Sequence, residues 1–136
     1  MAHCERLRSL RLINVIGLRL VSFAEGVRLP IEDLTLTCCT DLGDALAALL
    51  PHLRLRSLTF FSCSGPLDLS FLSGCSTLRR LKLARHQGAV SHLTALTSCP
   101  ALAELRISGM GCVNKTRRWL ESECPRLNVR TLSIGC

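Results

Sequence analysis

Apolar residues return along this chain on one ruler. The spacing L-x-x-L-x-L is met at Leu7/Leu10/Leu12, Ile31/Leu34/Leu36, Leu55/Leu58/Phe60, Leu78/Leu81/Leu83, Leu102/Leu105/Ile107 and Val129/Leu132/Ile134. Successive copies start 24, 24, 23, 24 and 27 residues apart. One match would say little, because Leu is common. Six on a near-constant period describe similar units, each too small to bury its own apolar face and each buried by its neighbours. In every copy the last two apolar positions alternate with the residues between them, the period of a short strand with one buried face.

Between these strands the chain must return across the opposite face so that the next strand runs parallel to the last. The alanine- and leucine-rich stretch 41–50 reads as a helix that Pro51 ends. Helices are also expected at 90–97, where Val90, Leu93 and Leu96 share a face, and at 115–123, capped by Asn114. The segment 68–74 is shorter and reads as a turn or two of helix, and 17–26 as a looser connection. No linker, low-complexity tract or charge block divides the chain, so 1–136 reads as one α/β domain.

Composition refines this picture. Hydrophobic residues make up 48% of the chain and aromatic ones only 4%, so the core is aliphatic. The longest stretch without Asp, Glu, Lys or Arg, 86–103, is broken by Gln87, Ser91, His92, Thr94, Thr97, Ser98 and Pro100, and no transmembrane helix is expected. Glu5, Arg6, Arg8, Arg11 and Arg19 interrupt any signal-peptide core, which points to an intracellular protein, cytoplasmic or nuclear. Nine cysteines raise the question of disulfides. Cys39 and Cys63 fall one unit apart, and Cys75, Cys99 and Cys124 each stand just before the next copy. Their regularity follows the unit rather than any cross-link, so buried, reduced thiols are expected.

Cys39, Cys63 and His86 occupy the same position in consecutive copies and are the one set with metal-ligand chemistry. Stacked strands would hold them in a straight row with steps of about 4.8 Å. A zinc ion needs ligands converging at about 2.0–2.3 Å, which such a row does not offer. The expected role is a ladder that fills the turn after each strand and satisfies neighbouring backbone. His3, His52 and His92 share no spacing with an acid, and the adjacent Cys38 and Cys39 point to opposite faces. No glycine-rich phosphate loop or G-x-S-x-G elbow occurs. A non-enzymatic protein without catalytic residue, cofactor or metal is expected.

The pattern resembles the leucine-rich repeat over essentially all of residues 5–136. Cys99-Pro100-Ala101-Leu102-Ala103-Glu104-Leu105, Cys124-Pro125-Arg126-Leu127 and Cys39-Thr40-Asp41 are similar to motifs of its cysteine-containing subclass, while the matching strand-end positions elsewhere hold Val15, His86 and Met110. The resemblance implies a right-handed leucine-rich-repeat solenoid of about six repeats. A curved parallel sheet would line the concave face, with short helices and turns on the convex face. The subclass is typical of F-box proteins that select substrates for SCF-type ubiquitin ligases. Because the first strand begins six residues from the N-terminus and the chain stops inside the last unit, a fragment or uncapped array with exposed apolar edges is expected.

Residues flanking the inner strand positions face outward on the concave surface. They form three columns: Ser9, Asp33, Ser57, Arg80, Glu104, Thr131; then Arg11, Thr35, Thr59, Lys82, Arg106, Ser133; then Ile13, Thr37, Phe61, Ala84, Ser108, Gly135. Phe61 stands out as an aromatic anchor for a partner. The chain carries a formal charge of +7, and Arg80, Lys82 and Arg106 gather on the later strands. The expected function is a scaffold holding a protein partner, acidic in character, at Arg11, Thr35, Thr59, Phe61, Arg80, Lys82 and Arg106. The alternatives are the substrate-recognition arm of an SCF-type ligase and, from another class, a basic RNA-binding surface. Against RNA stand the absence of Tyr, the placement of Trp119 in a return and the lack of an aromatic stacking row.

Overall fold

The computed structural model describes residues 7–14, 30–40, 46–47, 50, 53–65, 67–73, 75–87, 90–109 and 131–135. Within them the alternating stretches form strands β1 (Ser9–Ile13), β2 (Asp33–Thr37), β3 (Ser57–Phe61), β5 (Arg80–Ala84), β7 (Glu104–Ser108) and β8 (Thr131–Gly135). These six make one sheet in chain order, β1-β2-β3-β5-β7-β8, with every neighbouring pair parallel. The chain is thus α/β with a parallel sheet at its centre.

Register follows the apolar pattern. Leu10, Leu34, Leu58, Leu81, Leu105 and Leu132 pair across the sheet in one row, and Leu12, Leu36, Phe60, Leu83, Ile107 and Ile134 in the next. A slip of one residue would turn both rows to solvent, so burial of one face holds the pairing. From β2 to β7 the two inner positions are buried on every strand, and so are Ile31, Leu55, Leu78 and Leu102 just ahead of them. The first triplet departs from this. Leu7 is 40% exposed, and Leu10 and Leu12 are half-buried. Among the described residues β1 has a strand on one side only, β2, so its apolar row has one described neighbour rather than two.

On the other side of this core, β4 (Leu67–Asp68) and β6 (Val90–Ser91) form a second, two-stranded parallel sheet. A 3-10 segment follows each, Leu69–Leu72 and Leu93–Ser98. Leu67, Leu69, Leu72 and Leu96 join the strand leucines in a single cluster. The first segment matches the short helix expected at 68–74, and Asp68 caps it by accepting the Ser70 N–H at 2.8 Å. The second corrects the helix expected at 90–97: Val90 is extended, and only from Leu93 does the chain coil, with three-residue turns. Apolar residues spaced by three eclipse on a 3-10 helix, whereas they drift around an α-helix. Of the helix expected at 41–50, Leu46 and Ala47 are helical and Leu46 is buried. The remainder of that stretch, 17–26, Asn114 and 115–123 lie outside the described residues.

A feature not expected from the sequence ends the strands. Asn14, Cys38, Ser62, Arg85 and Gly109, each the residue after a strand, all have positive φ, between 53° and 66°. The N–H groups of the first four donate to the carbonyl of the last residue of the next strand in the sheet: Asn14 to Thr37, Cys38 to Phe61, Ser62 to Ala84 and Arg85 to Ser108, at 2.8–3.0 Å. Each left-handed residue extends the ladder by one bond while turning the chain out of the sheet. Gly takes this conformation freely, whereas an L-residue with a Cβ gives up about 1–2 kcal/mol.

Candidate functional site

The outer face of the sheet opposes the leucine rows. Arg11, Thr35, Thr59, Lys82 and Arg106 lie in register across it, with Arg11, Lys82 and Arg106 exposed and the two threonines half-buried. Beside them runs the column Asp33, Ser57, Arg80, Glu104, one period-two step back along each strand. Over β3, β5 and β7 this face dips into a groove of about 220 Å³, open to solvent and walled by Ser57, Thr59, Arg80, Lys82, Glu104 and Arg106. Thr59, Arg80, Lys82 and Arg106, four of the residues singled out from the sequence, therefore come together in one depression. Arg11 and Thr35 share the face but stand outside the groove, on β1 and β2.

Glu104, which the sequence places only as one member of the first outward column, organises the groove. Its Oε1 lies 2.6 Å from the Arg106 Nε and its Oε2 lies 3.2 Å from the Arg80 Nε. The Glu104 side chain is 20% exposed, against 72% for Arg80 and 55% for Arg106. The carboxylate thus sits low, with an arginine standing on either side. Exposed ion pairs of this kind add little stability, typically under about 1 kcal/mol each. Their effect is orientation of two guanidiniums towards one opening. Lys82, between them in sequence, makes no ion pair among the described residues.

Phe61 ends β3 on the same face and is 38% exposed. The Arg85 guanidinium carbon lies 5.7 Å from its ring centroid, within reach of a cation–π attraction. Ala84, Phe61's register partner on β5, is buried at 3%. This corrects the third outward column, which does not run unbroken to solvent. A one-carbon side chain between the larger ring of Phe61 and the turn at Arg85 is covered by its neighbours. Ile13, at the β1 end of that column, is 55% exposed.

Behind the strand ends, the Cys39, Cys63 and His86 row behaves as a hydrogen-bonded ladder. The Cys39 thiol reaches the Leu12 carbonyl at 3.5 Å and Cys63 the Leu36 carbonyl at 3.3 Å, each on the preceding strand. His86 takes the same place with its Nε2 3.0 Å from the Gly65 carbonyl. A carbonyl only accepts, so Nε2 carries the proton, and the lone pair of Nδ1 is buried without a partner. Burial holds the His86 pKa below its usual 6.5 and raises that of Cys63. Cys99 forms a second rung on the Leu72 carbonyl at 3.2 Å, and burial pushes its pKa up to about 11. The Cys63 and Cys99 thiols are thus held protonated, the opposite of what a nucleophile needs.

One contact escaped sequence reasoning. His92, which shares no local spacing with an acid, places Nδ1 2.9 Å from the Asp68 Oδ1. The pairing of Asp68 with Ser91 across the small sheet brings His92 alongside. The Ser70 N–H, with smaller help from His92, lowers the Asp68 pKa. Among the described residues, no group of three or more His, Cys, Asp or Glu side chains is arranged to hold a metal ion. No helix among them is long and apolar enough to cross a membrane.

Comparison with protein-family models, with curated proteins and with solved structures returned no match.

Proposed function

We propose that the chain is a leucine-rich-repeat solenoid acting as a non-catalytic scaffold, and that the outer, concave face of its sheet holds an acidic protein segment. The observation that carries this reading is the groove over β3, β5 and β7, lined by three cations and a single carboxylate that pairs with two of them. The in-order parallel sheet and its regular register support the solenoid, because they hold side chains from successive strands in fixed rows. Phe61 supplies apolar contact at the edge of the same face, and the cations supply attraction and orientation.

Quantitative co-purification tests it. The parent protein is expected to recover a protein partner that is lost with Phe61→Ala and with Arg80→Glu/Lys82→Glu, and retained with Thr94→Lys on the return side. Retention by both face variants contradicts the reading. A ligase adaptor among the recovered proteins would place the chain as the substrate-recognition arm of an SCF-type ubiquitin ligase. Recovery of RNA, released by nuclease and steeply salt-dependent, would favour the basic RNA-binding alternative.

A further inference from the structure

Resting on that reading, we infer that the groove takes a phosphorylated serine or threonine side chain of the acidic segment, with Glu104 as the positioning residue that sets its charge preference. Arg80, Lys82 and Arg106 bring three positive charges to one opening, and Glu104 removes one of them. The two that remain match a phosphate monoester, which carries about −1.5 to −2 at pH 7, better than the single charge of a carboxylate. Geometry points the same way. Glu104 lies low between the arginines and holds both guanidiniums by Nε, while Lys82, without an ion pair among the described residues, is the cation not committed to it. The half-buried hydroxyl residues Ser57 and Thr59 form the opposite wall, where they can donate to the oxygens that the cations leave unmet. A planar carboxylate offers two oxygens to such a ring of donors, and a phosphate monoester offers three.

The alternative source of the same chemistry, a nucleic-acid phosphate, fits less well. A phosphodiester carries one charge and recurs along the strand, so it calls for a basic track. Here the cations are gathered over β5 and β7, and the next positions across the sheet are the uncharged Ser57 and Thr59 on β3, followed by Asp33 and Thr35 on β2.

The test uses one acidic peptide in three forms, with Ser, phosphoserine or Glu at its centre, titrated against the whole protein by calorimetry at pH 7.5, with single-stranded RNA as a fourth probe. The phosphoserine form is expected to bind about tenfold more tightly than the Glu form, the difference of one strong charge-assisted hydrogen bond. Lys82→Met should bring the two within about twofold, while circular dichroism and the melting temperature stay at parental values. Glu104→Gln, which removes the negative charge facing the ligand, should tighten both anionic forms, the phosphoserine form at least as much as the Glu form. Equal binding of the phosphoserine and Glu forms overturns the phosphate assignment and leaves the acidic-partner reading standing. Failure of all three peptides, with RNA bound through Lys82 instead, overturns both.

Discussion

The Cys63 sulfur lies 3.3 Å from the carbonyl oxygen of Leu36, 27 residues earlier in the chain and one strand back in the sheet. The same separation joins Cys39 to Leu12 and Cys99 to Leu72. A thiol is a weak donor, but here it gives a backbone oxygen of the preceding unit a partner in the interior. Cysteines at these places are structural parts of the turn.

Thiol labelling should separate these roles. Cys38 is exposed, whereas Cys39, Cys63 and Cys99 are buried, with the Cys63 and Cys99 thiols further held protonated. Under native conditions at pH 8, iodoacetamide should modify Cys38 at least about tenfold faster than its neighbour Cys39, as read by peptide mass spectrometry. Equal rates would mean that the ladder opens readily.

His86 makes stability depend on pH. Its folded pKa is depressed by burial, so at low pH the unfolded chain binds a proton that the folded chain resists. The contribution is fully present above the unfolded value of 6.5 and is lost as pH falls below it towards the folded pKa. Urea unfolding should therefore show stability declining as pH falls below 6.5, in a step that His86→Cys removes. That substitution installs the side chain carried at the same place after β2 and β3. An unchanged acid limb in the variant would assign the loss to other groups.

The inner rows admit a plain test. Leu105, the second residue of β7, is fully buried, with paired leucines on both sides. Leu105→Ala should cost roughly 2–5 kcal/mol, and hydrogen exchange should rise first in β5 and β8 rather than uniformly. A loss below about 1 kcal/mol would contradict the register.

Left-handed residues at the strand ends predict opposite signs for two substitutions. A Cβ on Gly109 would stand 2.8 Å from the Arg85 Cγ and 3.3 Å from its backbone N and Cα, at φ +66°. Gly109→Ala should therefore destabilise by about 1–3 kcal/mol. Ser62→Gly, at φ 53°, relieves a penalty already present and should be neutral or stabilising by up to about 1 kcal/mol. Thermal unfolding distinguishes them.

The strands, their order of pairing and the buried rows were legible in the sequence, because Leu34, Leu58, Leu81 and Leu105 repeat on a period that only one register can bury. The returns were less so. Val90, Leu93 and Leu96 carry a three-residue spacing that serves a short 3-10 turn, and nothing local marks Val90 as the strand partner of Leu67. Cys38, Ser62 and Arg85 are not residues that advertise positive φ, and their conformation comes from the carbonyl waiting on the next strand. In the groove, Arg80, Lys82 and Arg106 were visible as outward positions. The role of Glu104 between two arginines depended on side-chain directions that strand alternation alone does not give, and the Asp68–His92 contact on a pairing of two short strands 23 residues apart.

The most direct test of the outer face as the binding surface is the association kinetics of the co-purified partner with the parent, Phe61→Ala and Arg80→Glu/Lys82→Glu, measured across ionic strength. Phe61→Ala should weaken binding by about 2 kcal/mol, close to thirtyfold, mainly through faster dissociation. The charge reversal should slow association and flatten its salt dependence. If both variants bind as the parent does, while changes at Arg117 and Arg118, which lie outside the described residues, abolish binding, then the partner is held elsewhere and the outer sheet face is not the site.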